Sequence, residues 1–169
     1  MTLADGIAIA RALALAPVAW AILADQNVLA LAIFAVAAAS DAVDGRLARR
    51  AGTTGTLGAY LDPIADKILV VGTLLALAGA GRGWPVTVVT ILAIVREGIA
   101  AILRTRALAR GAAQPADRVA KLKTAAEMIG VALIILDGRP WAVLGTGIAG
   151  IALLVGLATL PRYATTRAA

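Results

Sequence analysis

Cysteine and histidine are both absent from the 169-residue chain. Without cysteine there can be no disulfide and no thiolate metal site. Without histidine the chain lacks the commonest metal ligand and the commonest general base. Any metal site must therefore use oxygen ligands, and carboxylates favour hard ions such as Mg²⁺ or Mn²⁺.

Charged and aromatic residues are also scarce, at 15% and 4% of the chain, whereas 61% is hydrophobic. In a soluble domain about a quarter of the residues are charged. The hydrophobic excess lies in long runs, which is typical of a membrane protein. The net charge of +6 comes from basic residues beside these runs, without interleaved aromatics. We therefore expect anionic membrane lipids, and no nucleic acid, as partners.

Six apolar segments, each close to the roughly 20 residues that cross a bilayer, predict an all-α, polytopic membrane protein with six transmembrane helices. We expect one domain over residues 1–169. The predicted spans are residues 7–23, 28–48, 61–80, 84–103, 119–136 and 141–160. No basic segment precedes the first span, so we expect a retained helix and no cleaved signal.

The distribution of lysine and arginine predicts the orientation of these spans in the cell membrane. If both termini are cytoplasmic, only Arg82 and Arg139 fall on the opposite side. Basic residues are enriched in cytoplasmic loops, so we expect both termini in the cytoplasm. Trp84 and Trp141 then lie at the outer interface, where aromatic rings are favoured.

Four aspartates interrupt the apolar segments at one membrane level. Asp41 and Asp44 lie toward the end of the second predicted span, and Asp62 and Asp66 lie at the start of the third. Their spacings place the members of each pair about 60° and about 40° apart on a helix, so both pairs can face one cavity. Two divalent cations would offset the repulsion, as in many phosphoryl-transfer sites. A solvated loop end and a cation-transport site are the alternatives.

The aspartates belong to a longer pattern. It reads Asp41-x-x-Asp44-Gly45-x-x-Ala48-Arg49, then eight residues, then Gly58-x-x-x-Asp62-x-x-x-Asp66. This pattern resembles the signature of the CDP-alcohol phosphotransferase family. The resemblance implies that an alcohol displaces CMP from CDP-diacylglycerol at a cytoplasmic site, and that the protein is a homodimer.

Roles for individual residues also follow from this resemblance. It implies that Asp41, Asp44 and Asp62 hold two Mg²⁺ or Mn²⁺ ions. Asp66 would lie beside the second ion and act as general base on the acceptor hydroxyl. The implied contacts with the CDP-lipid are made by Asp41, Gly45, Arg49 and Gly58.

Three shorter segments bear on the acceptor alcohol. They are residues 62–67, Arg96-Glu97, and residues 120–124, which read Ala-Lys-Leu-Lys-Thr. They resemble the phosphatidylglycerophosphate synthase branch of the family, which implies glycerol 3-phosphate as acceptor. Members of this branch often begin Asn-x-x-Thr-x-x-Arg, and of these residues only Arg11 is present here.

An acceptor with a phosphate requires cationic side chains, and Arg96, Lys121 and Lys123 are suited to this role. Alternatively, Arg96 forms a structural ion pair with Glu97, and the lysines only set the membrane orientation. Phosphatidylglycerol, as in cardiolipin synthases, and inositol phosphate remain alternative acceptors. A small cation transporter is the alternative that is not an enzyme.

Overall fold

A computed structural model of the chain describes residues 3–51, 56–109 and 118–160, and every regular element in these ranges is a helix. Side chains are described except at residues 3–5, 41–51, 56–63, 104, 107–109 and 118–121. The helices are α1 Leu3–Leu13, α2 Leu15–Leu23, α3 Asn27–Ala51, α4 Thr56–Gly79, α5 Trp84–Ala109, α6 Arg118–Ile135 and α7 Arg139–Ala158. The predicted all-α class is confirmed.

Three segments of the described chain are long and apolar enough to cross a membrane: Gly6–Leu23, Trp84–Leu103 and Arg139–Ala158. A shorter apolar helix covers Asn27–Ser40. These segments identify a membrane protein. The other predicted spans correspond to α3, α4 and α6, which carry the charged residues of the candidate site.

The first predicted span is divided into two helical segments, α1 and α2, at Ala14. Pro17 has no N–H, so the carbonyl of Leu13 loses its usual helical donor. The bonds on either side of this gap are present: Ala14 N donates to Ala10 O at 2.9 Å, and Val18 N to Ala14 O at 3.1 Å. Just after the break, Leu15 lies against Gly72 of α4.

The core of the bundle is built by α2 to α7 and is aliphatic apart from Phe34. Its largest buried members are Ile22, Phe34, Leu69, Leu74, Leu77, Val86, Val131, Ile134, Ile135 and Leu153. Large apolar side chains are also exposed on the outside of the bundle, including Trp20, Trp84 and Val28. An apolar exterior of this kind suits contact with lipid chains.

Helices α6 and α7 approach closely at small residues. A Cβ placed on Gly145 would lie 2.6 Å from Gly130 O, and one on Gly130 would lie 2.8 Å from Ala149 N. Neither position has room for a side chain. The high content of glycine and alanine thus permits close backbone packing of these two helices.

Three turns meet at the side chain of Arg82. Its guanidinium donates to Asp25 Oδ1 at 3.0 Å, to Asn27 Oδ1 at 2.7 Å and also to Asp137. Asp25 and Asp137 belong to the turns that join α2 to α3 and α6 to α7, and Asn27 is the first residue of α3. Arg82 lies in the turn that joins α4 to α5. We call this group the Arg82 clasp.

Two turns of the clasp have the same construction. Asp25 and Gly81 have positive φ angles, of 56° and 73°. The next residue then bonds back to the helix: Gln26 N donates to Ala21 O at 2.8 Å, and Arg82 N to Leu77 O at 3.2 Å. A left-handed residue followed by such a bond is a common way to end a helix. Because α3 starts and α4 ends at the clasp, these two helices are antiparallel.

Candidate active site

Arg11 is the most buried charged residue in the described part of the chain, with a fully buried side chain. It lies in the last turn of α1. Its NH1 group donates to Asp66 Oδ1 of α4 at 2.8 Å, and its Nε donates to Ser40 Oγ of α3 at 3.3 Å. Ser40 Oγ in turn donates to Ala37 O at 2.8 Å. One guanidinium therefore connects the candidate base with the residue that precedes Asp41.

The predicted metal-binding aspartates lie on the two helices that Arg11 joins. Asp41 and Asp44 belong to α3, and Asp62 and Asp66 belong to α4. Of these four side chains, only that of Asp66 is among the described ones. Among the described residues there is no group of three or more acidic side chains that could hold a metal. The metal-ligand roles therefore stay predictions.

The predicted contacts with the CDP-lipid likewise stay predictions. Gly45 and Arg49 lie on α3 and Gly58 lies on α4. Their surroundings fall outside the described side chains.

A second ionic group surrounds the carboxylate of Glu97 on α5. It consists of Lys67, Arg96, Glu97, Lys123 and Glu127, and we call it the Glu97 cluster. Glu97 Oε1 accepts a hydrogen bond from Arg96 and lies 4.0 Å from Lys123 Nζ, and Glu97 Oε2 lies 2.5 Å from Lys67 Nζ. Lys123 Nζ also lies 3.3 Å from Glu127 Oε1.

The Glu97 cluster brings three cationic side chains and two carboxylates together, and its most buried members are Arg96 and Lys123. The side chains of Arg96 and Lys123 are only 5% and 6% exposed. Removing charges from water is unfavourable unless they are paired, and Glu97 lies next to all three cations. Buried cations of this kind are suited to an anionic group such as a phosphate.

The two ionic groups flank one turn of α4. Asp66 contacts Arg11, and the next residue, Lys67, contacts Glu97. Consecutive helical residues point about 100° apart, so α4 presents its carboxylate to one group and its ammonium to the other. The candidate base is therefore the neighbour in sequence of one cation of the Glu97 cluster, Lys67.

Of the predicted acceptor-binding residues, the structure brings Arg96 and Lys123 together. The ion pair of Arg96 with Glu97, which the sequence offered as the alternative, is present. It belongs to the larger Glu97 cluster. The side chain of Lys121 lies outside the described ones.

Sequence reasoning assigned no site role to Arg11, Lys67, Glu97 or Gly156. An arginine within an apolar run is itself a signal of a functional or paired group, so Arg11 could have been found. Glu97 was considered only as a partner of Arg96. The contact of Gly156 with Arg96 and Lys123 joins residues on three different helices, and no local pattern predicts it.

The fold and the site together define a helical membrane protein with buried ionic groups around one turn of α4. The chain belongs to the CDP-alcohol phosphatidyltransferase family, whose family model matches residues 1–160. The family predicted from the aspartate pattern is confirmed.

Two relatives illustrate where the chain falls within this family. It is 39% identical over 112 residues to the probable phosphatidylglycerophosphate synthase of Mycobacterium tuberculosis strain H37Rv, which covers 65% of this chain and 51% of that protein. It is 35% identical over 146 residues to the CDP-diacylglycerol–glycerol-3-phosphate 3-phosphatidyltransferase of Escherichia coli strain K12, which covers 85% of this chain and 75% of that protein. The chain thus spans about half the length of the first relative.

Proposed function

We propose that the protein transfers a phosphatidyl group from CDP-diacylglycerol to glycerol 3-phosphate, giving phosphatidylglycerophosphate and CMP. Membership of the CDP-alcohol phosphatidyltransferase family supports the reaction type. The names of both relatives support the acceptor. The observation that carries the proposal is the Glu97 cluster, because it brings the buried cations Arg96 and Lys123 to one carboxylate oxygen, and such cations suit an acceptor that already bears a phosphate.

Asp66 is proposed as the general base. Its carboxylate takes the proton from the acceptor hydroxyl, and the resulting oxygen attacks the β-phosphorus of the donor. A new oxygen–phosphorus bond forms as the bond to the bridging oxygen of CMP breaks. Arg11 holds Asp66 Oδ1 from a fully buried position, which fixes the carboxylate on its helix. Arg96 and Lys123, with Lys121, bind the phosphate of the acceptor.

The chemistry of the donor set fits two Mg²⁺ or Mn²⁺ ions. The ligands must be oxygen atoms, since the chain has neither histidine nor cysteine, and the carboxylates are the negatively charged ones. The contacts of Arg11 with Ser40 and Asp66 support a common level for the two aspartate-bearing segments. We propose Asp41, Asp44, Asp62 and Asp66 as the ligands. When bound, such ions polarise the diphosphate and stabilise the leaving phosphate.

The CDP moiety is proposed to bind along α3 and the start of α4. Arg49 would pair with the diphosphate and Asp41 would contact the nucleotide. Gly45 and Gly58 would let the nucleotide approach the backbone closely, because glycine has no side chain.

We also propose six membrane spans, with both termini and the active site facing the cytoplasm. The pairing of α1 with α2 as one span leaves α3 to α7 as the other five. The Arg82 clasp then lies at the outer face, near Trp84 and Trp141 at the starts of α5 and α7. A homodimer is proposed from the family resemblance.

The test is an assay of the purified protein with Mg²⁺ or Mn²⁺, CDP-diacylglycerol and one acceptor at a time. We expect CMP release and the mass of phosphatidylglycerophosphate only with glycerol 3-phosphate. The Asp66→Asn variant should lose turnover while still binding CDP-diacylglycerol, because the amide cannot take the proton. Release of CMP with phosphatidylglycerol or inositol phosphate instead would contradict the proposed acceptor. Absence of release with any acceptor would contradict the proposed reaction.

A further inference from the structure

We propose that Gly156 is a positioning residue for the acceptor: by lacking a side chain, it leaves the space in which Arg96 and Lys123 lie side by side. This inference rests on the proposed function, because it concerns the two cations assigned to the acceptor phosphate. Gly156 lies near the end of α7, a helix that carries none of the catalytic, metal-binding or substrate-binding residues predicted from the sequence.

The geometry at Gly156 joins three helices. A Cβ built on this residue would lie 2.9 Å from Arg96 Nε on α5, 3.0 Å from Lys123 Cδ on α6 and 3.1 Å from Lys123 Nζ. These distances are shorter than the normal van der Waals separation between a carbon atom and another carbon or nitrogen atom. Gly156 is itself buried. The backbone of α7 therefore forms one wall of the space that the two cationic side chains occupy.

The atoms near Gly156 differ in kind from those near the other close-packed glycines of the α6–α7 contact. At Gly145 and Gly130 an added Cβ would meet backbone atoms, which cannot move without shifting a helix. At Gly156 the three nearest atoms are side-chain atoms of Arg96 and Lys123. Long side chains can shift at lower cost than a helix backbone. A methyl group at position 156 should therefore leave the bundle folded and displace the two cations.

Displacement of these two cations would change their separation, because both approach the same carboxylate oxygen. Arg96 donates to Glu97 Oε1, and Lys123 Nζ lies 4.0 Å from the same oxygen. Glu97 and Gly156 thus both determine where the two cations lie. Glu97 attracts them by its charge, and Gly156 leaves space for them. An acceptor phosphate that contacts both cations depends on their separation, since binding and orientation are sensitive to small displacements.

The experiment compares Gly156→Ala with the wild type, and initial rates are measured with each substrate varied in turn. We expect the KM for glycerol 3-phosphate to rise on the order of tenfold. A displacement of about 1 Å can cost on the order of a hundredfold, and the cations should move by less than that. The KM for CDP-diacylglycerol and the kcat should stay within about twofold of wild type. Gly150→Ala is the matched control, because it lies on the same helix and its Cβ would meet nothing within 4 Å.

A double-mutant cycle with Lys123→Met adds a readout that a purely structural role would not move. If Gly156 acts through Lys123, then Gly156→Ala should raise the KM for glycerol 3-phosphate less in the Lys123→Met background than in the wild type. Equal effects in the two backgrounds would overturn the role assigned through Lys123.

The remaining outcomes separate this inference from the proposed function. A wild-type protein that does not use glycerol 3-phosphate overturns both. An active wild type with an unchanged KM in Gly156→Ala overturns the inference alone. Unfolding of Gly156→Ala, with Gly150→Ala stable, also overturns it, because Gly156 would then be a packing glycine.

Discussion

At the scale of single residues, Arg11 has the strictest requirement for hydrogen-bond partners, because its charged side chain is fully buried. A fully buried guanidinium inside an apolar helix is unfavourable unless its hydrogen bonds are satisfied. Arg11 meets this requirement by joining Ser40 and Asp66, which lie on two other helices. The residue that stabilises the meeting of these helices is therefore also the residue that orients the candidate base.

The first prediction separates these two effects of Arg11. Arg11→Met should lower the free energy of unfolding by about 2–3 kcal/mol, because it leaves Asp66 without its buried partner. Arg11→Lys keeps the charge and should recover part of this loss, but an ammonium lacks the planar fork that reaches two acceptors. We expect kcat in both variants to fall by more than about tenfold, as measured by CMP release.

Arg106→Met serves as the control for Arg11, because Arg106 is exposed in the last turn of α5. It should change neither the thermal midpoint nor kcat. Wild-type kcat in Arg11→Lys would show that the orientation of Asp66 does not depend on the fork of Arg11.

The sequence predicted the residues of the site unevenly. The aspartate pattern identified the family because its residues lie within one short stretch of two neighbouring helices. Arg96 was singled out because a cation inside an apolar span is unusual, and Lys123 because residues 120–124 resemble a family segment; their binding of the acceptor stays a prediction. Lys67 and Gly156 were missed for another reason: what they contact depends on how α4, α5, α6 and α7 pack, and packing is not written in a local pattern.

At the scale of helices, the six apolar segments predicted from the sequence are helical in the structure, except where a local residue changes the backbone. The apolar run of residues 7–23 predicted one helix, but Pro17 divides it at Ala14. Proline was visible in the sequence, and hydropathy alone does not register its missing N–H. The helices α3, α4 and α5 also extend beyond their predicted spans, because helical hydrogen bonding can continue after the apolar residues end.

The second prediction concerns the contact between α6 and α7. Gly145→Ala should destabilise the protein by about 1–3 kcal/mol, because its Cβ would meet Gly130 O at 2.6 Å and Ile134 N at 2.9 Å. A midpoint lower by about 5 °C in a detergent unfolding experiment is expected. Gly147→Ala is the control on the same helix, where a Cβ meets nothing within 4 Å. Equal midpoints for the two variants would contradict the close packing of the helices.

At the scale of the whole molecule, the Arg82 clasp shows that successive helices alternate in direction. Three turns that are distant in sequence converge on one side chain, so they lie at one end of the bundle. The sequence predicted Arg82 as one of two basic residues on its side of the membrane. It could not predict that Arg82 pairs with Asp25, Asn27 and Asp137, since these contacts form only once the helices are assembled.

The third prediction tests the orientation of the bundle. The chain has no cysteine, so single cysteines can be introduced without removing native ones. Gln26→Cys lies at an exposed position in the clasp turns and should react with a membrane-impermeant maleimide added to intact cells. Thr54→Cys, between the second and third predicted spans, should react only after the membrane is permeabilised. The reverse pattern would place both termini and the site outside.

The position of the Arg82 clasp has a consequence for how a two-chain lipid reaches the site. Ser40 and Asp66 lie near the middle of α3 and α4, whereas three turns at one end of the bundle share the guanidinium of Arg82. We therefore expect the proposed donor to enter away from the clasp, because movement of the helices there would break the bonds that Arg82 makes to three turns.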